Sequence, residues 1–134
     1  MLSNVIIKTT QSHSWVVFLL SGFLLFSCSD KQSHNDPLQA GWKGKKVCEL
    51  IQETQELRVL KCTFEPGVGH ERHYHAPHVA YTLAGSTFQL TDTTGVRTLD
   101  VPTGYSYYSE GVEWHEALNV GDSTGIFLII EPKG

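Results

Sequence analysis

Several things are scarce in this sequence, and each scarcity removes a class of function. Of 134 residues only 10 are Lys or Arg, against 14 acids, and the basic residues form no cluster, which argues against a nucleic-acid partner. No apolar run approaches the ~20 residues that a membrane-spanning helix needs. The longest, WVVFLLSGFLLF from Trp15 to Phe26, is broken by Ser21-Gly22. No segment keeps a 3.6-residue apolar period, so no amphipathic helix is expected. No Ser/His/Asp arrangement and no glycine-rich phosphate loop is present, and no internal repeat or low-complexity stretch competes with a single globular domain. Cysteine is rare, with three in all at Cys28, Cys48 and Cys62.

What is present begins with an N-terminal segment unlike the rest. Lys8 is the only charged residue among the first 28. A sparse positive start, a short apolar stretch and small residues after it are marks of a secretory signal. Its end, LFSC from Leu25 to Cys28, resembles the lipobox of bacterial lipoproteins. The resemblance implies a signal peptide at 1–27 and lipidation of Cys28, which would anchor an exported protein to a bacterial membrane, on its periplasmic or cell-surface face, without spanning it. The polar, aperiodic stretch that follows reads as a tether over 28–42. Removal of 1–27 takes one Lys and no acid, moving the net charge from −4 to −5, and leaves enough chain for one domain.

From Lys45 onward the apolar segments have the length and punctuation of strands. KVCELI and LRVLKCTF flank QETQE as a hairpin. A turn near Thr54 or Gln55 sets Cys48 roughly opposite Cys62, so a cross-strand disulfide is conceivable, as are two separate buried thiols. HVAYTL, STFQL, VRTLDV, YSYY and WHEALNV follow between polar or glycine-ended turns, and IFLIIE reads as a buried strand. Seven to nine short strands with regular turns predict an all-β sandwich or barrel.

Four of the seven histidines fall in HERHYHAPH, His70 to His78. Residues two apart in a strand share a face, so His73 and His75 project together and Tyr74 opposes them. His78 opens the next strand after Ala76-Pro77 and can face back toward the pair. His115, far along the chain, is a fourth candidate. Converging imidazoles suit Zn, Cu, Fe or Ni. His70 has the opposite parity from His73, and His34 lies in the tether, so both read as surface residues. Glu71 could orient an imidazole but reads better as a solvated charge.

PGVGHERHYHAPHVAYTLAG resembles the first motif of the cupin superfamily, a glycine, five residues, His-x-His, a short gap to Glu, and six residues on to a glycine. Gly67 and Gly85 stand at the two glycine positions. GYSYYSEGVEWHEALN is similar to the second motif at Gly104, His115 and Asn119. The resemblance covers about residues 45–132. It implies a cupin-type double-stranded β-helix, a jelly-roll barrel, at 43–134, holding a divalent transition metal (Fe, Ni, Cu, Zn or Mn). The ligand set implied is His73, His75 and His115, with His78 standing where the family has its glutamate. Glu110 and Val112 replace the family's Pro and Gly, which implies a differently shaped loop before His115. Four neutral imidazoles would leave the metal a stronger Lewis acid than three and a carboxylate.

Alternation from His115 turns Ala117 and Asn119 inward and Glu116 and Leu118 outward. Asn119 reads as a structural hydrogen-bonding residue. Phe88, Tyr107 and Trp114, with Tyr81 and Tyr108, are candidates to line a pocket for a small organic molecule. Two readings of function stay open. One is a metal-dependent oxygenase, isomerase or lyase; the other is a non-catalytic binding or sensor module that uses the metal structurally or to capture its ligand. The family also implies a homodimer, formed through an outer face carrying Leu118 and Tyr74.

Overall fold

The computed structural model describes residues 34–134. Eleven strands make up the regular structure: β1 Gly41–Trp42, β2 Lys45–Lys46, β3 Cys48–Glu53, β4 Leu57–Phe64, β5 Gly69–His75, β6 His78–Ala84, β7 Ser86–Asp92, β8 Gly95–Val101, β9 Ser106–Ser109, β10 Val112–Asn119 and β11 Gly125–Pro132. The fold is all-β, a jelly-roll barrel of two antiparallel sheets. One sheet has the order β5-β10-β7-β8 and the other β3-β4-β11-β6-β9. Apart from the β3–β4 and β7–β8 hairpins, neighbours in each sheet come from distant parts of the chain, and the two inner faces enclose the core.

The β3–β4 hairpin shows how local sequence sets register. Thr54 Oγ1 accepts hydrogen bonds from the amides of Glu56 and Leu57, and the Thr54 amide donates to the Leu57 carbonyl at 2.8 Å. That turn places Cys48 opposite Cys62, and their sulfurs are bonded. β11 runs along the centre of its sheet, paired on one side with β4 and on the other with β6. Its inward residues, Phe127, Ile129 and Glu131, follow the period of two that a strand imposes.

Leu60, Ala80, Phe88, Ala117 and Ile129 meet between the sheets. The rings of Phe64, Phe88 and Phe127 pack edge to face with centroids 5.2–5.9 Å apart, an arrangement that favours aromatic contact beyond plain area burial. Asn119 is fully buried. Its amide donates to the carbonyls of Phe64 and Ser123, and its oxygen accepts from Ser86 Oγ and the Gly121 amide. Every polar group of that side chain is satisfied, as a structural residue requires.

Residues 34–42 differ from the tether expected there. They lie against the barrel: the Asn35 carbonyl accepts from the Tyr74 amide, Asp36 pairs with Arg58 at 2.7 Å, and Pro37 and Ala40 are buried. Trp42 packs over Gly69, where a Cβ would stand 2.6 Å from its ring. Lys43 and Gly44 both have positive φ, the conformation of a tight two-residue hairpin loop, and this loop joins β1 to β2. Scattered apolar residues without a period carry the packing, which is why a periodicity reading passes over them. Residues 1–27, Cys28 and the first part of the tether lie outside the described residues.

Candidate metal centre

Three imidazoles converge on the inner face of the β5–β10 pair. His73 and His115 are register partners across those strands, and His75 follows His73 on the same face. His73 Nε2 lies 2.9 Å from His115 Nε2 and 3.1 Å from His75 Nε2. Among the described residues, His73, His75 and His115 form the group whose ligand atoms could together hold a metal ion.

The other nitrogens explain what those short distances mean. His73 Nδ1 donates to the Glu71 carbonyl at 2.7 Å. A carbonyl only accepts, so the proton of neutral His73 sits on Nδ1 and its Nε2 presents a lone pair. His75 Nδ1 donates to Glu131 Oε1 at 3.0 Å. Burial would raise the pKa of Glu131, but hydrogen bonds from His75 and Arg58 outweigh it and hold the carboxyl below its ordinary value. Glu131 is therefore an acceptor, and His75 Nε2 also presents a lone pair. Two lone pairs 3.1 Å apart repel unless a proton or a cation lies between them. Burial, reinforced by neighbouring imidazoles, pushes His73 well below the usual range and His115 down to about 3. A proton on His73 or His115 is thus disfavoured at neutral pH, and the donor set fits a divalent transition metal.

Glu131 was not picked out from the sequence. It is 2% exposed at the end of β11, in register with Arg58 on β4, and its second oxygen accepts from Arg58 Nε. A chain of contacts runs from Asp36 through Arg58 and Glu131 to His75. A carboxylate holding the far nitrogen of a ligating histidine fixes tautomer and ring orientation. The available signal was an acid in the inward parity of IFLIIE, a place where an unpaired charge would be costly.

His78 opens β6 and faces back toward the pair, as expected, though the converging donor group is His73, His75 and His115; His70 departs from the sequence reading. His78 is buried, and its Nδ1 donates to the Ala76 carbonyl at 2.8 Å, which leaves its Nε2 lone pair free as in His73. Its ring stands 4.7 Å from that of His75, beside the triad and outside the converging donor group. His70 is 2% exposed and faces inward, not to the surface. Between the pairs His115↔His73 and Ala117↔His70, β5 carries one residue more than β10. Such a bulge inverts the facing of everything beyond it. The His70 ring stacks 3.7 Å from His73, its Nε2 donates to the Pro37 carbonyl at 3.0 Å, and its Nδ1 lies 3.8 Å from Cys48 Sγ. The Glu71 side chain is exposed and accepts from the Lys43 amide; its backbone, not its acid, orients His73. His34 is half-buried beside Trp114.

A cleft of about 280 Å³ opens beside the triad. Phe88 and Tyr107 line it, together with Phe127, Ile129 and Leu99. Trp114 does not: it neighbours the inward-facing His115, so strand alternation puts it on the outer face, where the Arg72 guanidinium stacks 3.8 Å from its ring. Tyr81 and Tyr108 are likewise exposed and lie outside the cleft. Leu118 is half-buried, and Tyr74 is exposed.

No family model matches the sequence, and no curated protein matches it. Solved structures do match. A cupin domain from Bordetella pertussis Tohama I aligns with a TM-score of 0.62 and 22% identity, over 66% of this chain and 93% of that one. The chain has the cupin fold. The polyketide cyclase RemF from Streptomyces resistomycificus aligns with a TM-score of 0.52 and 20% identity, over 63% of each chain. A double-stranded β-helix protein from Klebsiella pneumoniae reaches 0.51 at 17% identity, over 67% of this chain and 79% of that one.

Against the cupin motifs, the missing second-motif glycine has a local substitute. Gly111, one residue before Val112, adopts φ +100°, and a Cβ there would stand 2.8 Å from the His75 carbonyl. The loop before His115 thus keeps a left-handed residue, displaced by one position from the family pattern.

Proposed function

We propose that this cupin-fold protein binds a divalent transition metal (Fe, Ni, Cu, Zn or Mn) through Nε2 of His73, His75 and His115, and acts on a small organic molecule held in the adjoining cleft. The convergence of three Nε2 atoms, with the Nδ1 protons of His73 and His75 committed elsewhere, carries this reading. When bound, the metal would act as a Lewis acid or redox centre of the kind that oxygenases, isomerases and lyases use. The protein's own part is definite. The Glu71 carbonyl and Glu131 hold two ligands in one tautomer, and burial keeps His73 and His115 neutral. The apolar wall limits water around a bound molecule. The test is elemental analysis of the purified protein beside His73→Ala. About one equivalent of metal in the wild type, lost in the variant, is expected; equal metal in both would overturn the assignment.

The alternative, a binding or sensor module, is favoured by one observation. Glu131 is committed to His75 and Arg58, and no carboxylate lines the cleft among the described residues. A reaction that needs a carboxylate base has none there. Turnover of no organic substrate by metal-loaded protein that still binds such molecules would decide for this reading.

Export and lipidation at Cys28 belong to the same proposal. The Cys48–Cys62 disulfide supports an oxidising compartment. Cys28→Ser should move the protein from the membrane fraction to the soluble fraction; retention in membranes would refute the anchor. A homodimer remains the expectation for the assembly, and light scattering would measure it.

A further inference from the structure

The cleft beside the triad has one cation on an otherwise apolar wall. In the β7–β8 register, Leu90 faces Arg97, Phe88 faces Leu99 and Ser86 faces Val101. Phe88 and Leu90 turn inward, so Arg97, Leu99 and Val101 form one inward row on β8. All three line the cleft. Arg97 therefore stands where the pattern calls for an apolar residue. Its Nη1 donates to Asp92 Oδ2 at 2.7 Å, and Asp92 is the register partner of His115. Nη1 also donates to Thr94 Oγ1 at 3.4 Å; both contacts use Nη1, which leaves the N–H donors of Nε and Nη2 available.

Across the opening, Tyr105 and Tyr107 stack with ring centroids 5.9 Å apart and 30° between planes. β8 and β9 are each the last strand of their sheet, so the opening lies between two sheet edges. Leu99 and Tyr107 are both more than a third exposed. These are large apolar faces left uncovered at the rim of a cavity, where a ligand rather than the core would cover them. An apolar cavity of roughly 150 Å³ accommodates a benzene, so about 280 Å³ leaves room for one or two fused rings.

We propose that the cleft binds a small aromatic carboxylate or related planar anion, its rings between Tyr107 and Leu99 and its anionic group paired with Arg97 at the end of the cleft nearest His115. The inference names a ligand class for the site proposed above and rests on that cleft being the ligand site, but it does not depend on the metal. Arg97 acts as a specificity residue, because a planar anion accepts two parallel N–H bonds from a guanidinium in a way a neutral amide does not. Apolar contact supplies the remaining affinity and is indifferent to charge.

The test uses the full-length protein and two probes of equal shape, 1-naphthoate and 1-naphthamide, with binding read by calorimetry. Both metal-loaded and chelator-treated protein are titrated. Wild type is expected to prefer the carboxylate by about tenfold in both states, as loss of a charge-assisted hydrogen bond implies. Arg97→Gln, at an exposed edge-strand position, is expected to abolish the preference while metal content and naphthamide affinity stay unchanged. Equal affinity for the two probes in wild type, or a preference that survives in Arg97→Gln, would overturn the proposal. Tyr107→Ala is a second variant, expected to weaken both probes alike; unaltered affinity there would remove the ring from the assigned place. Absence of metal with the carboxylate preference intact would sink the metal reading alone.

Discussion

Replacing Glu131 with Ala removes the acceptor of two buried hydrogen bonds, one from His75 Nδ1 and one from Arg58 Nε. The first loss frees the His75 ring to rotate and to change tautomer. Loss of such a supporting partner typically lowers metal affinity by about 10–100-fold. The second loss strands a cation. Removing one partner of a buried pair costs roughly 3–5 kcal/mol, but Arg58 is 20% exposed and keeps Asp36 at 2.7 Å, so about 2–3 kcal/mol is the expected penalty. Glu131→Gln separates the two effects. Its amide oxygen can still accept from His75, so metal affinity should fall less than in the Ala variant, while the charge complement to Arg58 is lost in both.

Chelator competition would measure the metal affinity, and urea unfolding of metal-free protein the stability. Glu131 also sets an acid signature. Its folded pKa lies below the ordinary 4.5, so its stabilisation is complete above pH 4.5 and is lost as pH falls toward the folded value. Glu131→Gln should lack that component. Wild-type metal affinity in Glu131→Ala would refute the argument that this carboxylate positions His75.

Three further outcomes follow from the geometry. His78→Ala should keep its metal, with affinity within about threefold of wild type, because the ring stands outside the donor group; a loss as complete as that of His73→Ala would restore His78 as a ligand. Breaking the Cys48–Cys62 bond, with its sequence separation of 14 residues, should cost about 3 kcal/mol by loop-closure entropy, and unchanged urea unfolding after Cys48→Ala would contradict this. His70 is held at about 4, chiefly by burial. Its neutral form therefore stabilises the fold above pH 6.5, and that stabilisation is lost as pH falls from 6.5 toward 4. Metal-free protein should lose stability across that window, and His70→Gln should show a shallower slope.

How much of this was legible in the sequence depends on which distances govern each feature. Strands, turns and the β3–β4 pairing come from neighbours within a few residues. There the period of two and the turn chemistry of Thr54 act directly. The same locality explains why His73 and His75 could be placed on one face from spacing alone, whereas His115 was joined to them only by the resemblance to the cupin second motif. His70 was misplaced because a one-residue bulge on β5 inverts parity between it and His73, and a bulge is set by the partner strand and not by the segment that contains it. Trp114 was named for its aromatic ring, although alternation from the inward His115 turns it outward.

Other features needed the assembled barrel. Glu131 on β11 meets His75 on β5 only because the two sheets face each other, a side-chain contact between residues 56 apart in the chain. Residues 34–42 looked like a tether because their few apolar side chains have no period; only the finished surface of β5 supplies the groove they fill. Arg97 reads in the sequence as one charge on an edge strand, and the cleft around it exists only once the two sheets face each other. The sequence by itself determined an all-β chain with a histidine pair aimed at one face. The tertiary structure decided which third histidine joins that pair, which acid orients it and what lies opposite, because those contacts depend on long-range register that local periodicity does not encode.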